Sequence, residues 1–114
     1  MSSSVVFQFC GIDCCLEKGS YQHKGRDSSA RLSLRVVAAN SQHNRDMDIV
    51  GGEPVTTASI NVVSEPLRAN EVVIKNYDNN EGLLPVLVNA GLVKRTGRQV
   101  PTGMVFSEIV LCLI

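Results

Sequence analysis

The chain has 114 residues and a hydrophobic fraction of 44%, which suits one globular domain with one core. Lysine plus arginine equals aspartate plus glutamate at 11 each, and this neutral balance argues against nucleic acid as the main partner, because phosphate binding needs net positive surface. Aromatic residues make up only 4%, so valine, leucine and isoleucine must build the core, a composition that favours strands.

The N-terminal residues give the expectation of a cytoplasmic protein. Residues 1–7 lack both a basic segment and a long apolar segment, so no signal peptide is predicted, and residues 1–4 are expected to fray. The longest apolar run is about half of what a bilayer crossing needs, which argues against a membrane partner. The cysteines are therefore expected to stay reduced. They are Cys10, Cys14, Cys15 and Cys112.

The first part of the chain predicts strands separated by polar segments. Apolar residues indicate strands over 5–9 and 14–17, with a bend at 11–13. A polar loop is predicted from 18 to 30. Residues 31–37 alternate between apolar and polar side chains, which predicts a half-buried antiparallel strand.

The second part begins with the most polar stretch of the chain, residues 40–52, which predicts a mobile hairpin loop. Strands are predicted over 55–63 and 71–77, with a turn between them at Pro66. Residues 104–114 are mainly apolar and predict a central strand with both faces covered, at least near its end.

One short helix is predicted between the last two strands. Asp78 and Glu81 have the spacing of a capping box, in which each side chain bonds a backbone N–H near the other. An apolar stripe covers residues 83–88, and Gly91 lies where a left-handed residue ends a helix. Pro85 conflicts with a regular helix, so we expect a distorted first turn that keeps the cap.

Together these elements predict an α+β fold, in which an antiparallel β-sheet of about six strands has one short helix packed on it. A partly open β-barrel is the alternative. The whole chain, residues 1–114, is expected to form a single domain.

A basic segment is the best candidate for a binding site. Three cations surround a glycine in a predicted turn, and a threonine lies in the turn that follows. Glycine permits close approach of the backbone, and guanidinium groups bind phosphate or carboxylate. The alternative is a solvated turn whose charges favour the end of the helix. The residues of this candidate site are Lys94, Arg95, Thr96, Gly97, Arg98 and Thr102.

No set of residues predicts catalysis. The spacing of Cys10, Cys14 and Cys15 differs from that of zinc ligands, so core packing is favoured over a metal site or a disulfide. His23 and His43 lie in polar segments with no motif around them. The sequence therefore predicts a protein that is not an enzyme and needs no metal or cofactor.

Several short motifs, taken in order, resemble a family of small proteins. They are Glu53-Pro54-Val55, Ile60-Asn61-Val62, NEVVIKNY at 70–77, NEGL at 80–83, GLV at 91–93 and TGRQVPTG at 96–103. Their order resembles small uncharacterised proteins of phages, plasmids and bacteria with the pattern EP…TVN…EVxIKxYxxNEG…GLV…TGRxVPTG. The chain departs from that pattern at Asn76, where aspartate is common, at Pro85, and in the length of segment 40–52.

The resemblance implies a mobile-element context and no particular chemistry. Small phage proteins often bind a host protein, and inhibitors of bacterial defence systems such as anti-CRISPR proteins are one class. We therefore expect a non-enzymatic binding protein with a host protein as partner. One alternative is a small-ligand or nucleotide-binding domain that uses residues 94–98. The other is a structural subunit, for example a homodimer, that assembles through the C-terminal strand as an exposed edge.

Overall fold

The computed structural model describes residues 5–21, 31–62 and 65–114. The predicted frayed end and residues 22–30 of the predicted loop, with His23, lie outside them. The strands are β1 (Phe7–Phe9), β2 (Ile12–Tyr21), β3 (Arg31–Ala38), β4 (Pro54–Thr57), β5 (Ser59–Ile60), β6 (Glu71–Ile74), β7 (Val93–Thr102) and β8 (Val105–Cys112). The helices are α1 (Gln42–Asp46), α2 (Leu83–Asn89) and a 3-10 helix over Asp78–Asn80.

These strands form two four-stranded antiparallel sheets, with the orders β1-β2-β3-β4 and β5-β6-β8-β7. The chain crosses from the first sheet to the second at Ala58. Its N–H donates to Leu34 O over 2.9 Å, and its carbonyl accepts from Lys75 N over 2.8 Å. These bonds join the sheets along one side. Helix α2 contacts both β1 and β7, the strands at the two far ends, and so covers the opposite side.

One hydrophobic core lies between the two sheets and α2, and both sheets and the helix contribute to it. Its largest fully buried side chains are Leu16, Leu34, Val36, Val72, Ile74, Leu83, Leu84, Leu87, Leu92 and Val110. A smaller cluster, the outer cluster, covers the other face of the second sheet. It consists of Val73, Val100 and Ile109 with Ile60, Val62 and Leu67 packed on them. Successive side chains of β6 point to opposite faces of the sheet. Val72 and Ile74 therefore pack in the core, and Val73 packs in the outer cluster.

The predicted α+β class, with antiparallel strands and a helix packed on them, is confirmed. The details differ: the described residues form two four-stranded sheets where one sheet of about six strands was predicted, and the strand predicted over 71–77 ends at Ile74. Where one strand was predicted over 55–63, the described residues form two, because the chain changes sheets at Ala58. Val63 lies outside the described residues. The strand expected over 14–17 extends from Ile12 to Tyr21, into the segment where a loop was predicted. The described strands do not close into a barrel.

Helix α1 lies in segment 40–52, where the sequence predicts a loop. Its N-cap is Ser41, whose hydroxyl accepts from Asn44 N over 3.1 Å. The Asn44 side chain is fully buried and bonds backbone groups of Asp13 and Ala39. The loop prediction is therefore wrong for residues 42–46, which are helical and tied to the first sheet.

Helix α2 confirms the predicted helix, but the predicted cap at its start is wrong. Asp78 begins the 3-10 helix with φ +53, and neither Asp78 nor Glu81 makes a side-chain cap bond to α2. The cap comes from an earlier residue, because Asn76 Oδ1 accepts from Leu84 N over 2.8 Å. Gly82 holds the N-cap position with φ +87. The 3-10 helix over Asp78–Asn80 therefore occupies the place where the capping box was expected.

Pro85 and Gly91 both occupy positions in and after α2 that suit their backbone preferences. Pro85 is the third residue of the helix, where its missing N–H removes no helical bond, so no distortion is required. At the other end, Gly91 has φ +74 and its N–H donates to Val88 O over 3.0 Å. Leu92 N then donates to Leu87 O over 3.1 Å, which completes a Schellman motif. The predicted glycine stop is confirmed.

A Gly91→Ala variant is expected to lose about 1 kcal/mol of unfolding free energy, because a side chain disfavours the left-handed backbone. A Cβ at this position would meet no atom within 4 Å, so the effect is one of backbone conformation alone. Urea unfolding measures it. Asn89→Ala, an exposed change in the same turn, is the control and should stay within about 0.5 kcal/mol. Equal stability of Gly91→Ala and wild type would contradict this account.

Candidate functional site

The predicted basic turn is part of a strand, so the turn prediction for residues 94–98 is wrong. Strand β7 pairs with β8 on both sides of an irregularity, at which two extra residues, Thr96 and Gly97, are inserted. Gly97 has φ +82. Thr96 Oγ1 donates to Ile109 O over 2.6 Å. The insertion is therefore a β-bulge held by a threonine side chain.

The bulge sends its two flanking arginines to opposite faces of the sheet. Arg95 lies opposite Val110, which faces the central core, and Arg98 lies opposite Ile109, which belongs to the outer cluster. Cross-strand neighbours share a face, so the two guanidinium groups leave the strand in different directions.

Arg98 is paired with a buried carboxylate. The side chain of Glu71 is 6% exposed, and its two oxygens accept from Arg98 Nη1 over 2.7 Å and from Arg68 N over 2.8 Å. Burial alone would raise the pKa of Glu71. The bond from Arg68 N, the bond from Arg98 and the charges of both arginines outweigh burial, and the pKa is lowered. Glu71 is thus ionised at neutral pH, and Arg98 balances its charge.

The remaining members of the predicted site lie apart from this pair. Lys94 is exposed. Arg95 Nε lies 3.8 Å from Oε1 of Glu108. Thr102 Oγ1 lies 2.6 Å from Ser107 Oγ at the end of the hairpin. The structure therefore distributes the six candidate residues along both faces of β7 and does not bring them around one anion.

The thiols sit in different environments. Two are buried, one is half-buried and one is exposed in the turn between β1 and β2; in that order they are Cys14, Cys112, Cys15 and Cys10. Burial raises the pKa of Cys14 to about 11 and raises that of Cys15, so both are protonated at neutral pH. His43 bonds a backbone carbonyl in the same turn. Across 5–21, 31–62 and 65–114, no group of three or more metal-ligating side chains is present.

The most exposed apolar residues lie at the tip of the β7–β8 hairpin. Gly103, with φ +71, and Met104 form the two-residue turn. Met104 is fully exposed, and Phe106 is 72% exposed. Pro101 is exposed and lies opposite Phe106. We call these three apolar residues, Pro101, Met104 and Phe106, the tip surface.

A groove of about 250 Å³ adjoins the tip surface. Its lining includes the apolar or aromatic residues Phe106, Tyr77 and Leu84 and the polar residues Asn76, Gln99, Ser107 and Glu108. The ammonium group of Lys75 lies 5.5 Å from the centre of the Tyr77 ring, which keeps the ring beside the groove. An apolar projection and a recess of mixed polarity are thus next to each other on one side of the second sheet.

Another groove, of about 690 Å³, lies between the β2–β3 pair and the segment before β6. Arg31 crosses it, and its guanidinium donates to Val62 O over 2.9 Å and to Glu65 O. Glu71 also lines this groove and is already paired with Arg98. The charged groups there hold the segment before β6 against both sheets.

The tip surface is not predicted by the sequence pattern, for a structural reason. Strand β8 is central, as predicted, because it lies between β6 and β7, and for the same reason it is not a sheet edge. However, β6 pairs only with residues 109–111, so the first half of β8 has a strand on one side only. From the sequence Phe106 has the character of a core residue, but it is 72% exposed. The available signal was a Thr-Gly turn followed at once by Met104, Val105 and Phe106.

No family model, curated protein or solved structure matches the chain. None of the helices in the described part of the chain is long and apolar enough to cross a membrane.

Proposed function

We propose that this chain is a non-enzymatic binding protein that places its tip surface in an apolar pocket of another protein. The observation that carries the proposal is the exposure of Met104 and Phe106 at the end of a projecting hairpin. Large apolar side chains at such a position give up favourable burial in the free protein. Burying a phenylalanine fully is worth roughly 1.5–3 kcal/mol, and this free energy becomes available on docking.

Interfaces concentrate their binding energy in a few aromatic or large apolar side chains at the centre of the contact. Phe106 has such a character, and the polar side chains Gln99 and Glu108 beside it would form the rim. The mobile-element context, with inhibition of a bacterial defence system as one form of the activity, is implied by the sequence resemblance and is part of the same proposal.

The two alternatives have less support from the geometry. Ligand binding at residues 94–98 would need Arg98 to leave the buried carboxylate of Glu71. Assembly through the C-terminal strand is restricted, because β8 lies between β6 and β7 and only its first half has a strand on one side alone. The edge strands of the second sheet are β5 and β7. Strand β7 carries a bulge and Pro101, both of which hinder the pairing of a further strand.

Quantitative affinity capture from bacterial lysate tests the proposal. A double variant, Met104→Ser with Phe106→Ser, is expected to retain the specific partner at least roughly tenfold less than the wild type does, because both apolar anchors are removed. Val50→Ser is the matched control. Val50 is 65% exposed and lies between α1 and β4, away from the tip surface, so this variant should behave as the wild type.

Retention of the same proteins in equal amounts by the double variant and the wild type would defeat the proposal. So would turnover of a substrate by the purified chain together with the absence of any partner that depends on the tip surface. Circular dichroism of each variant confirms that the fold is intact before the capture is compared.

A further inference from the structure

We propose that two copies of this chain associate through their tip surfaces, with Phe106 of each copy entering the groove beside Phe106 of the other. This inference concerns the regulation of the proposed binding surface. It rests on the proposed function in one respect, that the tip surface docks onto protein, and it adds that a second copy competes with the partner for that surface.

The arrangement of projection and recess favours a closed pair. A two-fold dimer uses the same patch on both copies, so a residue that projects must lie beside the recess that receives its counterpart. Phe106 meets this condition, because it is both the most exposed aromatic side chain described and a wall of the 250 Å³ groove. If projection and recess lay on different sides of the molecule, the contact would generate open chains of molecules instead.

The size of the groove suits an aromatic ring. An apolar cavity of about 150 Å³ holds a benzene molecule, and this groove is larger and open on one side. Among the residues that line it, Tyr77 presents an aromatic ring, whereas Leu84 is almost fully buried. An incoming phenyl ring could therefore contact the tyrosine ring, an arrangement worth about 0.5–1.5 kcal/mol beyond area burial.

The charges place no obstacle in the way of a second copy. The formal net charge is zero, so two copies do not repel one another at long range. Beside the groove, Arg95 and Glu108 lie 3.8 Å apart and form a locally neutral pair. A foreign partner would need no particular charge either, but only a second copy is certain to carry the matching projection and recess.

The contact should be weak. The tip surface contains three residues, and with the groove it forms a patch smaller than the roughly 800 Å² that each partner buries in a stable complex. A dissociation constant on the order of 100 µM is therefore expected. Such a dimer hides the tip surface when the chain is concentrated and releases it on dilution or when a tighter partner is present.

Sedimentation velocity on the full chain from about 10 µM to 1 mM tests the inference, and the expected result is a rise from the mass of the 12.3 kDa monomer toward twice that mass. Phe106→Ser should weaken association at least about tenfold, and Val50→Ser should leave it within about twofold. In a dilution series followed by NMR, the amide signals of Tyr77, Leu84 and Phe106 should shift, and that of Val50 should not.

A wild-type chain that stays monomeric up to about 1 mM would overturn the inference, as would a dimer that Phe106→Ser leaves unchanged. Shifts that centre on other residues would also overturn it, and this readout needs no variant. These failures are separable from failure of the proposed function. A monomeric chain whose capture of a partner still depends on Met104 and Phe106 would refute self-association and leave the binding function standing.

Discussion

An Arg98→Met variant is expected to lose about 2 kcal/mol of unfolding free energy at neutral pH, because it leaves the buried carboxylate of Glu71 without its ion-pair partner. Breaking a fully buried pair costs about 3–5 kcal/mol. The Arg98 side chain is 37% exposed, so solvent screens part of the attraction and the expected value is lower. Methionine keeps much of the aliphatic stem, which isolates the effect of the charge. Urea unfolding at pH 7 measures the difference.

The loss should shrink in acid. The pKa of Glu71 is lowered in the folded protein, so the pair stabilises the fold above the ordinary glutamate pKa of about 4.3. This contribution disappears as the pH falls through the lowered value, because the wild type then protonates the carboxylate as well. The difference between wild type and Arg98→Met is therefore expected to be full near pH 6.5 and clearly smaller near pH 3.5, each being an approximate pH.

Arg95→Met is the matched control for this experiment. Arg95 belongs to the same strand, and its Nε lies 3.8 Å from the carboxylate of Glu108, whose side chain is 25% exposed. A solvated pair of this kind contributes about 0–1 kcal/mol, so the control should lose less than half of what Arg98→Met loses. Equal losses in the two variants, or a loss at Arg98 that is the same at both pH values, would contradict the assigned role of the buried pair.

The bulge in β7, at Thr96 and Gly97, shows which features of the fold can be predicted from the sequence and which cannot. A bulge and a turn both favour glycine at positive φ, so Thr96 and Gly97 look the same in either. What separates the two is the partner strand, which continues past the bulge, and the carboxylate of Glu71, which lies 27 residues before Arg98 in the chain. Both the partner strand and Glu71 are distant in the sequence from residues 94–98. The sequence therefore indicates that this segment is unusual, but it does not distinguish a bulge from a turn.

The two ends of α2 show the same contrast. Its C-terminus was predictable because the glycine stop depends on backbone bonds within five residues, all close in the sequence to Gly91. Its N-terminus was not. A capping box requires an extended backbone at the cap, whereas Asp78 has φ +53, and the bond is made by Asn76, eight residues before its donor Leu84.

Long-range contacts also hid the division into two sheets. Residues 57–62 alternate between polar and apolar side chains across Ala58, so the pattern carries no sign that the strand breaks there. The break arises because Ala58 bonds Leu34 of one sheet and Lys75, next to β6 of the other. For the tip surface the difficulty is different. An apolar residue in a strand indicates burial, whereas Phe106 is 72% exposed in the folded chain.

The largest single effect outside the hydrophobic core is expected from Asn44→Ala, at about 3 kcal/mol of lost unfolding free energy. The fully buried side chain makes three bonds to backbone groups. Its Oδ1 accepts from Asp13 N over 3.0 Å, and its Nδ2 donates to Asp13 O over 2.7 Å and to Ala39 O over 2.9 Å. Alanine satisfies none of them, and buried polar groups left without a partner carry the desolvation penalty.

Gln42→Ala separates this effect from a general change in helix α1. Gln42 is exposed, and its side chain bonds only Asp46 and Arg45 within the same segment, so the loss should stay within about 0.5 kcal/mol. Urea unfolding compares the two variants. A loss in Asn44→Ala no larger than that in Gln42→Ala would show that the backbone groups find other partners.

Hydrogen exchange makes the prediction specific to one place in the structure. A five-residue helix has no stability of its own in water, so α1 must be held by its contacts with the first sheet, of which the Asn44 bonds are the most direct. In Asn44→Ala the amides of 42–46 and of Asp13 should exchange at least about tenfold faster, while those of β7 and β8 keep their protection. Uniform loss of protection across both sheets would instead indicate that α1 belongs to the cooperative core and is not a locally anchored element.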